Sequence, residues 1–149
     1  MQLFQDSKHL LVLLFVLAGV ESFGQHQLFV QVDGLPAAQG QLLYSLYRSG
    51  DGFPDDPSKA FKKGAIPVSD RSVRYSIDQL PYGDYALSII HDRNGNGKLD
   101  MNSMGIPTEA IGFSNNVMGA FGPPKFSRAR FTVNSTKLEL PVIRLRKLP

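Results

Sequence analysis

Leu80-Pro81-Tyr82-Gly83-Asp84-Tyr85-Ala86-Leu87-Ser88-Ile89-Ile90-His91 is the stretch on which the fold class turns. From Tyr85 to His91 the residues alternate. Tyr85, Leu87 and Ile89 share one face, and Ala86, Ser88 and Ile90 the other, which is the period of two expected of a β-strand. The residues before it spell a corner. Pro81 presets φ, Gly83 relieves a tight turn, and Tyr85 can bury its ring while its hydroxyl bonds the corner backbone.

The same period recurs on both sides, and no stretch sustains a long helical period. Leu28–Val32 is a first strand, stopped by Asp33-Gly34; Gln41–Arg48 is a second, ended by Ser49-Gly50-Asp51-Gly52. Asp56 can cap a single helical turn with Pro57 at its first position. Ala65–Val68 and Ser72–Ile77 read as a hairpin about Ser69-Asp70-Arg71. Arg128–Val133 and Leu138–Leu145, joined at Asn134-Ser135-Thr136, bring the strands to seven. The expectation is an all-β chain: a single seven-stranded antiparallel β-sandwich over residues 25–149, with a long ordered loop after the fifth strand.

Ahead of the first strand, Leu10–Val20 is an uncharged apolar run that follows Lys8 and His9. It is too short to span a bilayer, which takes about 20 apolar residues, and suits the core of a secretory signal peptide. Ser22 and Gly24 supply a small-x-small cleavage site, so residues 1–24 are expected to be removed and the mature chain to begin at Gln25. The mature part has no transmembrane segment, no cysteine for disulfides, thiolate metal sites or lipidation, and 15 Lys+Arg against 11 Asp+Glu. A disulfide-free exported domain fits the periplasm or medium of a Gram-negative bacterium. The basic excess gathers in Arg128, Arg130, Arg144, Arg146 and Lys147, which read as a solvated sheet face and tail. Export makes nucleic acid a poor partner.

The segment 92–126 breaks the pattern. It has about 35 residues rich in Gly, Asn and Pro, and loops beyond about 15 residues inside a compact domain tend to be functional or disordered. Met101, Met104, Ile106, Ile111, Phe113, Val117, Met118 and Phe121 are too many apolar anchors for a solvated linker, so an ordered flap packed on the sandwich is expected. It opens with Asp92-x-Asn94-x-Asn96-Gly97, the start of a calcium loop of the EF-hand type, in which oxygen ligands at positions 1, 3 and 5 surround a hard cation. Lys98 would offer its carbonyl and Asp100 a carboxylate, but Ser103 stands where a bidentate Glu belongs; Glu109 can fold back to fill that gap. The other reading is a plain turn, since Asn-Gly pairs favour positive φ and Asp92 can cap the turn without metal.

His91, at the mouth of the loop, is either a structural histidine bonded to nearby backbone or a general base with Asp92 beside it and Ser103 or Ser114 as nucleophile. Asp51, Asp55 and Asp56 form a second acidic loop, expected at the opposite pole of the sandwich. With His9 in the signal region and His26 expected at the mature N-terminus, His91 alone is too few for a catalytic zinc site.

The corner Leu80-Pro81-x-Gly83-x-Tyr85 resembles that of transthyretin-like and collagen-adhesin B-type sandwiches. Further blocks are His91–Asp100, Gly105-Ile106-Pro107-Thr108-Glu109, Gly112–Asn116, Gly119–Phe126 and Gly52–Pro57. Together with the corner they resemble the bacterial family called domain of unknown function 2141, which implies a signal peptide, one small β domain and no established activity. Transthyretin-like hydrolases of urate derivatives end in Tyr-Arg-Gly-Ser, whereas this chain ends Arg-Leu-Arg-Lys-Leu-Pro, which counts against that enzyme. The functional expectation is an exported, non-catalytic envelope module that presents residues 92–126 to a ligand, carbohydrate or envelope protein, with calcium as the one candidate cofactor. Its metal ligands would be Asp92, Asn94, Asn96, Lys98, Asp100 and Glu109. The alternative is a small hydrolase centred on His91 and Asp92.

Overall fold

The computed structural model describes residues 26–149. The expected signal peptide and the cleavage before Gln25 lie outside the described residues. Among the described residues there are nine strands: β1 (His26–Asp33), β2 (Gln41–Tyr47), β3 (Lys62–Pro67), β4 (Ser72–Leu80), β5 (Gly83–Asp92), β6 (Ile111–Phe113), β7 (Phe131–Val133), β8 (Lys137–Glu139) and β9 (Ile143–Arg144). Helix in these residues is confined to 3-10 turns at Pro57–Lys59 and Ser114–Asn116 and one short α-helix, α1 (Phe126–Ala129). Among the described residues no helix is long and apolar enough to cross a membrane.

Alternation decides what each strand buries. Leu28, Val30 and Val32 of β1, with Val73, Tyr75 and Ile77 of β4, face Leu42 and Leu46 of β2 and Tyr85, Leu87 and Ile89 of β5 in one hydrophobic core. Tyr44 and Tyr75 stack across it with ring centroids 5.4 Å apart. Each fully buried aliphatic side chain stabilises by about 2 kcal/mol, whereas the ion pairs Lys59–Asp51, Arg74–Glu139 and Arg130–Asp84 all lie in solvent and are worth at most about 1 kcal/mol each. The core, not surface charge, holds the fold.

The corner is built as read. Tyr85 is fully buried, and its hydroxyl donates to the Pro81 carbonyl at 2.7 Å. Asp56 also caps its turn, accepting the Ser58 N–H at 3.0 Å, with Pro57 first in the turn.

The sheet plan differs from the expected antiparallel seven. One sheet runs β4-β1-β8 with β9 also on β1; the other runs β3-β2-β5-β6 with β7 also on β5. β8 and β9 both lie parallel to β1, so the first sheet is mixed. The last predicted strand breaks in two around Pro141, which has no N–H for a ladder. Arg128 and Ala129 are helical, so the preceding strand starts only at Phe131. Ala65–Val68 and Ser72–Ile77 make no hairpin, because β3 pairs with β2 and β4 with β1. The four residues 68–71 instead connect the two sheets, whose layers lie about 10 Å apart.

The long loop is also less of a loop than expected. β6 takes the free edge of β5 beside Ser88–Ile90, and β7 takes the same edge lower down, beside Gly83–Tyr85. Ile111 and Arg146 exchange backbone bonds of 2.9 and 2.8 Å, which ties this edge to the segment that follows β9. Outside the main core, Phe53 meets Tyr47, Phe113 and Phe126 edge-on at 5.4, 6.1 and 6.0 Å. β5 is therefore enclosed on both faces, which explains why Ala86 and Ser88 are buried along with Tyr85 and Leu87.

Candidate functional site

β5 delivers His91 and Asp92 to the rim of its sheet, and consecutive strand residues point to opposite faces. His91 turns into the protein and is fully buried; its Nε2 donates to the Gln39 carbonyl at 2.8 Å and its backbone N–H to Ala110 at 2.9 Å. Its Nδ1 is buried and has no hydrogen-bond partner among the described residues.

Asp92 is equally enclosed, and its carboxylate gathers four donors. Gln41 Nε2 and the Gly97 N–H meet Oδ2 at 2.8 Å each; the N–H groups of Gly95 and Asn96 meet Oδ1 at 2.8 and 3.2 Å. Burial alone would raise its pKa. The bonds from Gln41, Gly97, Asn96 and Gly95 outweigh that and hold the carboxyl below its ordinary value. The loop can wrap the carboxylate because Gly95 and Gly97 adopt φ of 72° and 78°, where a side chain would be strained.

The rest of the loop is stitched by the other predicted residues. Asn94 and Asn96 donate their side-chain amides to Asp100 at 2.7 and 2.8 Å, and their carbonyls accept the N–H groups of Asn96 and Lys98. Lys98 contributes only that N–H and stands exposed. Glu109 does fold back. It is buried and accepts the Arg93 N–H at 3.1 Å and the Asp100 N–H at 3.2 Å. Between Asp100 and Glu109 the chain forms a tight reversal, with Asn102 N–H on Ile106 O, Thr108 N–H on Asp100 O and the Asn102 carboxamide oxygen accepting Met104 and Ile106.

Asp92, Asn94, Asn96, Asp100 and Glu109 thus share one hydrogen-bonded loop. Among the described residues no three His, Asp or Glu side chains are grouped to hold a metal ion. As built, their oxygens serve N–H donors. The geometry gives no support to a catalytic pair. His91 and Asp92 diverge, Ser103 lies on the exposed turn, and Ser114 Oγ is occupied by the Leu87 N–H at 2.9 Å and the Ala129 carbonyl at 2.6 Å. The second acidic loop lies at the other end of the sheet, since Gln41 pairs with Asp92 and Tyr47 with Ala86; Asp51 there bonds Lys59 and Asp56 caps its turn.

The sequence profile of a family described as an uncharacterized protein conserved in bacteria (DUF2141) matches residues 30–140, well over half of the chain. The chain belongs to this family. No curated protein and no solved structure matches it. The DUF2141 match runs from β1 past β8 and takes in every residue of the loop just described.

Sequence reasoning missed three residues of this DUF2141 site, Gln39, Gly40 and Gln41. Gln39 supplies the carbonyl for His91, Gln41 the amide for Asp92, and Gly40 the room for both. A Cβ on Gly40, whose φ is +75°, would stand 2.3 Å from the Asp92 carbonyl oxygen and 2.8 Å from Arg93 Cα. Backbone cannot swing aside as a flexible side chain can, so Gly40→Ala should cost about 2 kcal/mol or more. A urea melt within 0.5 kcal/mol of wild type would show that the rim yields.

The anchors of the flap divide. Ile111 and Phe113 are buried, whereas Met101, bridged to Pro107, Met104 in a turn and Phe121 in a bend are exposed. Of the five large apolar side chains exposed among the described residues, these three fall in the one segment.

Proposed function

We propose that this DUF2141 protein is an exported, non-catalytic module of the bacterial envelope. On this reading a transthyretin-like sandwich presents residues 92–126 to a ligand, carbohydrate or protein partner, with calcium as a stabilising ion. The observation that carries the proposal is the contrast within that segment. Its base is fixed by the buried carboxylates of Asp92 and Glu109, while Met104 and Phe121 are 76% and 105% exposed. Placing apolar contact groups on loops of a rigid scaffold is how sandwich domains acquire binding function. The enclosed His91 and the occupied Ser114 favour binding over hydrolysis.

Calcium would take the oxygen donors of this loop once the carboxamides of Asn94 and Asn96 turn. It would draw on Asp92, Asp100, Glu109, the Lys98 carbonyl and the carbonyl ends of Asn94 and Asn96, whose amide ends now face Asp100. With so few carboxylates the dissociation constant should fall near 10⁻⁴–10⁻³ M, on the order of extracellular modules.

A photo-crosslinking residue placed at Phe121 or Met104 should trap a defined adduct in the native envelope, in a species whose mass starts at Gln25. The same residue at Arg74, exposed on the other sheet, should not. Equal labelling from all three positions, or a full-length mass, would remove the basis of the proposal.

A further inference from the structure

Asn94-Gly95 and Asn96-Gly97 are chemically vulnerable pairs, because glycine leaves the following backbone nitrogen free to attack the asparagine side chain. Asparagine is among the thermolabile residues for this reason. Both pairs are exposed, and nothing lies within 4 Å of where a Cβ would stand on either glycine, so neither crowding nor exclusion of water protects them. Hydrogen bonds do. The two attacking nitrogens, Gly95 N and Gly97 N, are the atoms that donate to Asp92, each at 2.8 Å and each to its own carboxylate oxygen. The two electrophiles, the carboxamides of Asn94 and Asn96, are held by Asp100 at 2.7 and 2.8 Å.

We propose that the 92–100 loop is a latent deamidation site whose conversion is held in check by the Asp92 carboxylate. For reaction, the glycine nitrogen must lose its proton and form a bond to the asparagine Cγ. The C–N bond of the carboxamide then breaks, and its nitrogen leaves as ammonia with the proton. One water opens the cyclic imide, hydroxyl to a carbonyl carbon and hydrogen to nitrogen, giving aspartate or isoaspartate without oxidant or cofactor. A carboxylate bonded to the N–H opposes the first step, because it stabilises the proton that must depart and keeps the nitrogen turned from Cγ. A hydrogen bond to a charged group is worth enough to slow a step about tenfold or more. Each conversion would add a negative charge to a loop that already holds Asp92, Asp100 and Glu109. This inference does not depend on calcium or on a binding partner.

The experiment is peptide mapping by mass spectrometry of the full chain held for days at mildly alkaline pH, with conversion at Asn94 and Asn96 followed separately. Folded wild type should convert at both sites about tenfold or more slowly than the same chain in urea. Asp92→Ala should approach the urea rate at both sites. Asp92→Asn keeps a single acceptor oxygen, so it should release one glycine and accelerate one asparagine much more than the other. Should Asp92→Ala fail to fold, the site-selective response of Asp92→Asn decides. The proposal is overturned if folded wild type converts as fast as unfolded chain, or if a natively folded Asp92 variant converts no faster than wild type.

Discussion

Tyr85→Ala should destabilise the protein by about 3–5 kcal/mol, measured by urea denaturation. The ring is fully buried, stacks on Phe131 at 6.3 Å, packs against Phe61 at 5.9 Å and lies beneath the Arg48 guanidinium. Its hydroxyl closes the corner on the Pro81 carbonyl. Truncation removes both the buried area and the bond, and it leaves a cavity between layers that cannot collapse because β5 is paired on both edges. Tyr85→Phe removes only the bond and should cost about 1 kcal/mol. A loss below 1 kcal/mol for the alanine variant would mean that the corner does not hold the two sheets together.

Asp92→Ala should cost about 2–4 kcal/mol, the consequence of removing a buried, charged acceptor from four donors at once. Protease should then cut between Asp92 and Phe126, where it spares wild type. The acid response has a definite sign. The folded pKa of Asp92 lies below its unfolded value, so its contribution is present above about pH 4, the ordinary aspartate value, and is lost as pH falls through the lowered folded value. The acid limb of the stability curve should therefore be shallower in Asp92→Ala. If the loop also takes calcium, millimolar calcium should raise the wild-type melting temperature by a few degrees over EDTA and leave the variant unmoved. Magnesium should do less, because it demands a tighter octahedron. Identical melts in calcium and EDTA would leave the loop as a carboxylate-centred turn, and an Asp92→Ala protein as stable as wild type would mean that its bonds are dispensable.

The sequence by itself determined which residues face the core and where the chain must bend. Both are local properties, alternation of apolar side chains along Leu28–Val32 or Tyr85–Ile89 and the turn chemistry of Pro81-Tyr82-Gly83. They need no partner to be legible. The loop was half legible for the same reason, since the spacing of Asp92, Asn94, Asn96 and Gly97 is itself a turn signal, and Glu109 stood out as the carboxylate within reach. Partner choice was not local. β3 and β4 each bury one face whether they pair with each other or with β2 and β1, so alternation could not distinguish a hairpin from a crossing between layers. Nor could it place β8 and β9 parallel to β1, a pairing made across more than a hundred residues. The site followed the same division. Only the register of β2 on β5, with Gln41 opposite Asp92, brings the Gln41 amide, the Gln39 carbonyl and the bare backbone of Gly40 to the rim. That register comes from packing two apolar faces into one core, which no window of sequence contains.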